Sequence, residues 1–172
     1  IRGVEQVCSV FTHVHGRGTW SSGIGGPGSV LSPRYMLDTN MCIYLIKYQP
    51  EIVKHRFEQC YVGEVVISAI TYAELQYGVR VSCNPEQEQR NLVSLVEDIP
   101  IAPFETKSAI AYGTIRLVTT ERKADQLDKL IAAHAESLGV VLVTNNEKDF
   151  ARYPGLRFEN WLESHASTSK QN

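Results

Sequence analysis

Tyr35-Met36-Leu37-Asp38-Thr39-Asn40 reads as a short apolar strand that runs directly into an acid and the start of a helix. Three apolar residues in a row fit a strand buried on both faces. From Asn40 to Tyr48 the pattern is helical, and it stops before Pro50. The same alternation continues along the chain. Val65-Val66-Ile67 is a β-branched strand, and 71–81 is a helix with Tyr72, Leu75 and Val79 on one side. Helices are also expected over 51–59, 86–96 and 106–118, with a strand over 99–104. The clearest helix covers 124–138: Leu127, Leu130, Ile131, His134 and Leu138 recur at helical spacing, and Gly139 supplies the C-cap. Val140 to Val143 is again wholly apolar. Short strands alternating with helices predict a three-layer α/β/α fold around a mainly parallel sheet.

Composition narrows the setting. The 172 residues fit one domain, and 43% apolar with 21% charged residues is the balance of a globular protein with a true core. No apolar run approaches the roughly 20 residues of a membrane helix, and the N-terminus lacks the order of a secretory signal. The four cysteines (Cys8, Cys42, Cys60, Cys83) form no CxxC pair, so neither a zinc site nor a disulfide framework is indicated. Cys42 and Cys60 lie among apolar residues as buried thiols, and the cytoplasm is the expected compartment. A net charge of −2 does not advertise nucleic-acid binding, although a bound divalent cation would reverse the field at an acidic site. Residues 1–34 hold seven of the twelve glycines and carry +2; they are expected to be a flexible leader outside the fold. The domain is expected over 35–162, followed by a polar tail, 163–172.

Four segments place acids beside apolar residues. They hold Asp38; Glu74, within Ala73-Glu74-Leu75; Asp128, within Leu127-Asp128-Lys129-Leu130; and Asp149, within Asn145-Asn146-Glu147-Lys148-Asp149. Functional groups of parallel sheets gather beyond the carboxyl ends of the strands, where Asp38 and the 144–149 segment fall. Each acid also has a local explanation. Asp38 fits a helix N-cap, and Thr71 with Glu74 fits a capping box. Asn146 with Asp149 fits a similar cap, and Asp128 fits a solvated residue paired with Lys129 or Arg122. Taken together, four such coincidences are less economical than one shared site. Clustered carboxylates repel by a few kcal/mol per pair at ~4–5 Å and an effective dielectric of ~20, so they persist only with a cation or with raised pKa values. An all-oxygen set suits Mg²⁺ or Mn²⁺, which points to metal-assisted phosphodiester chemistry. His134, about 240° around the helix from Asp128, is expected to be a hydrogen-bonded core residue.

These segments, in this order, resemble the PIN domain: Tyr35-Met36-Leu37-Asp38-Thr39-Asn40, Ile70-Thr71-Tyr72-Ala73-Glu74-Leu75-x-x-Gly78, Leu127 through Ala135, and Leu142-Val143-Thr144-Asn145-Asn146-x-x-Asp149-Phe150. The likeness is closest to VapC-type toxins of bacterial toxin–antitoxin modules, and Tyr153-Pro154-Gly155-Leu156 with Glu159-Asn160-Trp161 extends it. The resemblance implies a Mg²⁺- or Mn²⁺-dependent endoribonuclease. Asp38, Glu74 and Asp128 match the three main acids; Asp149 matches the fourth, with Asn146 where relatives often carry Asp. Asp38, Asp128 and Asp149 would hold metal, Glu74 would orient the nucleophile, and Thr144 would make a water or metal-side contact. Arg116, Arg122 and Lys123 are candidate RNA contacts, although a solvated helix face explains them equally. The resemblance further implies an RNA substrate such as tRNA, a VapB-type antitoxin, a homodimer, and operator DNA only through the antitoxin complex. The segment Glu121 to Leu127 is shorter and more charged than the Gly-rich stretch of many relatives, and Asp125 within it rivals Asp128. The alternatives are a PIN nuclease of RNA processing, a DNA nuclease, and a non-catalytic binding module. An aspartyl phosphatase would need a second Asp where Asn40 stands.

Overall fold

The computed structural model describes residues 32–48, 50–119 and 125–163. Its centre is β1 (Tyr35–Leu37), followed by α1 (Thr39–Lys47) and α2 (Glu51–Glu58). Next come β2 (Val65–Ser68), α3 (Ala69–Val81), α4 (Pro85–Asp98), β3 (Ile101–Ala102) and α5 (Thr106–Val118). The rest comprises α6 (Gln126–Leu138), β4 (Val141–Val143), α7 (Glu147–Phe150) and β5 (Phe158–Glu159). The strands form one sheet in the order β3-β2-β1-β4-β5, and every neighbouring pair is parallel. This is the α/β/α layering expected from the alternation of elements.

Why the strands read as unbroken apolar runs follows from the layers. Leu37, Val65, Ile67 and Val143 pack on one face with Met41, Leu75, Val79, Leu92 and Leu95 of α1, α3 and α4. Met36, Val66 and Leu142 pack on the other face with Ile115 of α5, Ile131 and Ala135 of α6, and Phe150 of α7. A parallel sheet covered on both sides has no polar face to alternate with.

Register then places the site. Leu37 stands beside Ile67 on one flank and Val143 on the other, so the residues that follow (Asp38, Ser68 and Thr144) emerge together at the carboxyl edge. The Asp38 amide donates to the Val143 carbonyl at 3.0 Å, which ties the first acid to the end of β4.

Several expected boundaries move. The strand expected over 99–104 shrinks to Ile101–Ala102, because Ile99 ends α4 by donating to Leu95 and the flanking prolines offer no N–H to the ladder. The helix expected from Thr71 starts at Ala69, where the Ser68 hydroxyl accepts from the Ile70 amide. The strand β5 was not anticipated; two residues after a Tyr-Pro-Gly-Leu turn carry no period to read. At Gly139 the reading from sequence and the structure coincide: φ is +67°, and its amide and that of Val140 close α6 on Glu136 and Ala135. Pairing extends to Arg34, whose amide donates to Glu64 and whose carbonyl accepts from Val141, one residue before the expected domain start. Residues 1–31 of the expected leader and 164–172 of the expected tail lie outside the described residues. Among the described residues no helix is long and apolar enough to cross a membrane.

Candidate active site

Asp38 occupies the turn between β1 and α1 and is 3% exposed. Its Oδ1 accepts from the Met41 amide at 2.7 Å, which caps α1. Its Oδ2 accepts from the Thr144 hydroxyl at 2.5 Å, across to the end of β4. Burial pushes its carboxyl up to about 6; the two hydrogen bonds oppose that rise, and Asp128 and Glu74 add to it. The cap anticipated from sequence is therefore real, and the same carboxylate faces the other acids.

Asp128 projects from the first turn of α6 and is half-buried. Its carboxyl also rises to about 6, first through burial and then through the negative charges of Glu74, Asp149 and Asp125, with Arg152 opposing. Asp38 feels the charges of Asp128 and Glu74, and Asp128 those of Glu74 and Asp149, so the four acids lie within electrostatic reach of one another. Lys129 pairs with another acid, Asp125. Its ammonium lies 3.0 Å from Asp125 Oδ1, and both side chains are buried, at 0% and 9% exposure. The Lys129 ion pair is thus with Asp125, which also adds its negative charge to the surroundings of Asp128.

Glu74 settles another alternative. The capping box with Thr71 does not form, because α3 is capped by Ser68 and Thr71 is a buried residue of its first turn. The Glu74 carboxylate instead accepts from the Thr39 hydroxyl of α1 at 2.5 Å. Nothing in the sequence marks Thr39 as a site residue; only its position beside Glu74 gives it a role.

The last acid is held from both sides. Asp149 Oδ2 accepts from Asn146 Nδ2 at 3.0 Å, and Oδ1 accepts from Arg152 Nη2 at 2.6 Å. Asn146 makes no side-chain cap on α7, so that reading is replaced by an Asn146–Asp149 hydrogen bond. Its amide donates to the Thr144 hydroxyl at 2.9 Å. Thr144 thus links the Asp38 and Asn146–Asp149 halves of the site.

The remaining candidates divide. Arg116 is exposed on α5, whereas Arg122 and Lys123 lie outside the described residues. His134 is fully buried and shares a hydrogen bond of 2.8 Å with the Ser68 hydroxyl, as a core histidine should. Burial holds its imidazole below the usual range. Asn160 is structural: its Nδ2 donates to Glu147 at 2.9 Å, and its Oδ1 accepts from the Leu162 amide at 3.0 Å. Cys42 and Cys60 are buried free thiols, as composition suggested.

The donor chemistry fits a hard divalent cation. It is all carboxylate and hydroxyl oxygen, and the carboxyls of Asp38 and Asp128 are raised first by burial and then by neighbouring acids. The cage is not closed as it stands: among the described residues no three Asp, Glu, His or Cys side chains converge tightly enough to enclose an ion. Three of the acids are turned to other partners: Asp38 to the Thr144 hydroxyl, Glu74 to the Thr39 hydroxyl and Asp149 to the Arg152 guanidinium.

The PIN-domain family model matches residues 35–156, the segment that carries all four acids. The chain belongs to the VapC branch of the PIN-domain family. It is 38% identical over 130 residues to the tRNA(fMet)-specific endonuclease VapC of Salmonella typhimurium, an alignment covering 74% of this chain and 98% of the relative. It is 41% identical over 133 residues to ribonuclease VapC2 of Rickettsia felis, covering 74% and 97%. Among solved structures it resembles the DNA-bound VapBC of Salmonella typhimurium, with a TM-score of 0.69 at 37% identity, covering 75% of this chain and 98% of that one. VapBC2 of Rickettsia felis, bound to a promoter DNA fragment, gives a TM-score of 0.66 at 37% identity, covering 74% and 98%. Membership in this branch bears out the resemblance carried by the ordered acid motifs.

Proposed function

We propose that this chain is a divalent-metal-dependent endoribonuclease and the toxin of a VapBC-type module. The observation that carries the reading is geometric: Thr144 at the end of β4 donates to Asp38 at 2.5 Å and accepts from the Asn146 amide at 2.9 Å, Asn146 holds Asp149 at 3.0 Å, and Thr39, next to Asp38, donates to Glu74 at 2.5 Å. A helix cap explains Asp38 alone; acids from several elements tied to one sheet edge are what a cation-binding site requires. The relatives named as VapC ribonucleases, similar over nearly their whole length, support the same chemistry.

Asp38, Asp128 and Asp149 are the residues that would hold Mg²⁺ or Mn²⁺. When bound, such an ion lowers the pKa of a water molecule and stabilises the charge that develops on a phosphoryl oxygen. Thr144 orients Asp38 by donating to Oδ2, while the Met41 amide holds Oδ1. Glu74, steadied by the Thr39 hydroxyl, is the group suited to hold and orient the attacking water. Asn146 fixes the rotamer of Asp149. Arg116, Arg122 and Lys123 remain candidate contacts to the RNA backbone. The partners in this reading are RNA (tRNA among the candidates), a VapB-type antitoxin, a second copy of the chain, and operator DNA through the antitoxin complex. The VapBC complexes among the similar structures support the antitoxin assignment.

Induced expression of the chain alone in a bacterial host should arrest growth. Arrest should be relieved by Asp128→Ala or by co-expression of a VapB-type antitoxin encoded beside it. Arrest that persists in Asp128→Ala would remove nuclease action as its cause.

A further inference from the structure

Arg152 follows α7 and turns back over the acid that α7 carries. Its Nη2 lies 2.6 Å from Asp149 Oδ1 and 3.9 Å from Asp125 Oδ2, and its Nε donates to the Asp149 carbonyl at 3.3 Å. With Asn146 on Oδ2, both carboxylate oxygens of Asp149 are engaged. The two acids that Arg152 touches are not equivalent. Asp125 is 9% exposed and has a second cation, the Lys129 ammonium, at 3.0 Å. Asp149 is 41% exposed and without Arg152 would lose its cationic partner. The Arg152 side chain is 35% exposed, so solvent reaches the pair. Its charge is felt as far as Asp128, whose carboxyl it holds down against the other acids.

The proposal that follows rests on the nuclease reading. We infer that Arg152 is an internal counter-ion of the acid cluster. It holds Asp149 in the metal-free protein, yields that carboxylate to the divalent cation, and then contacts a phosphate of the RNA at the same edge. A guanidinium is suited to the exchange, because its planar fork matches a carboxylate and two phosphate oxygens alike. A lysine keeps the charge and loses the fork. The pair is half-exposed, so its hold on Asp149 is modest, and a binding cation has little to overcome.

The test uses the full chain as wild type, Arg152→Ala and Arg152→Lys, with melting curves in EDTA to establish that each is folded. Mn²⁺ is titrated calorimetrically into metal-stripped protein without RNA. A short single-stranded RNA, verified intact on a gel, is then titrated in Ca²⁺ at several salt concentrations. Arg152→Ala should bind Mn²⁺ about twofold to fivefold more tightly, because no side chain competes for Asp149. It should bind RNA about threefold to tenfold more weakly, with the slope of log affinity against log salt reduced by about 0.7, one phosphate contact on a single strand. Arg152→Lys should keep the salt slope and lose only part of the RNA affinity. Unchanged or weaker Mn²⁺ binding in Arg152→Ala, or an unchanged salt slope, overturns the assignment. Wild-type protein that binds no Mn²⁺ overturns the nuclease reading as well; wild type that binds it, with an equal variant, overturns the role of Arg152 alone.

Discussion

Asp38 caps a helix with one carboxylate oxygen and faces a second strand with the other. Cap and site acid looked like competing explanations in the sequence, but one residue serves as both. For Glu74 the two explanations did compete, and a contact distant in sequence, with Thr39, decides between them. Thr39→Val should therefore lower cleavage about tenfold by freeing Glu74, while melting changes little; kinetics on one RNA substrate checks this. Asp128 gives a prediction of opposite sign for stability. Its carboxyl titrates near 6 in the folded chain and near 3.8 when unfolded, so the folded state binds the extra proton between those values. Its ionisation then opposes folding fully above pH 6 and not at all below about pH 4. Asp128→Asn should thus stabilise the metal-free protein at pH 7 by about 1–2 kcal/mol, after allowance for its partial exposure, and abolish cleavage. Urea unfolding in EDTA at pH 7 and pH 4 measures it: the gain should shrink toward zero at the lower pH. A gain that grows on acidification would show that the Asp128 carboxyl is not raised in the folded chain.

At the scale of elements, the strands β1, β2 and β4 were legible because burial on both faces leaves nothing but apolar residues, and β5 was not because it is two residues long. Helix cores were legible from their period; helix starts were not. Ser68 rather than Thr71 caps α3, and the choice depends on a tertiary partner, since the same hydroxyl also meets His134. That contact joins α3, which carries Glu74, to α6, which carries Asp128. Each acid lies six residues from its helix's end of the contact, about 9 Å along the axis. His134→Ala removes a buried ring packed at 5.3 Å against Phe104 and strands the Ser68 hydroxyl. It should cost about 2–4 kcal/mol of stability by urea unfolding. A loss below about 0.5 kcal/mol would mean that the helices are held by apolar packing alone.

Across the whole molecule, the sequence carried the fold class and all four acids, because a parallel sheet delivers chain-distant residues to one edge by register. It did not carry the partners that hold those acids (Thr39, Arg152, and Lys129 on Asp125), which depend on side-chain geometry across elements. A net charge of −2 and an acid-rich edge give RNA no general attraction, so binding and cleavage should depend steeply on divalent ion. The most direct measurement is cleavage of a tRNA pool by antitoxin-free protein in Mg²⁺, Mn²⁺ or EDTA, beside Asp38→Ala and Asp128→Ala. The expected result is cleavage in either metal, none in EDTA, and none in either variant. Equal cleavage in EDTA, or in the variants, would contradict the acid cluster as the seat of the chemistry.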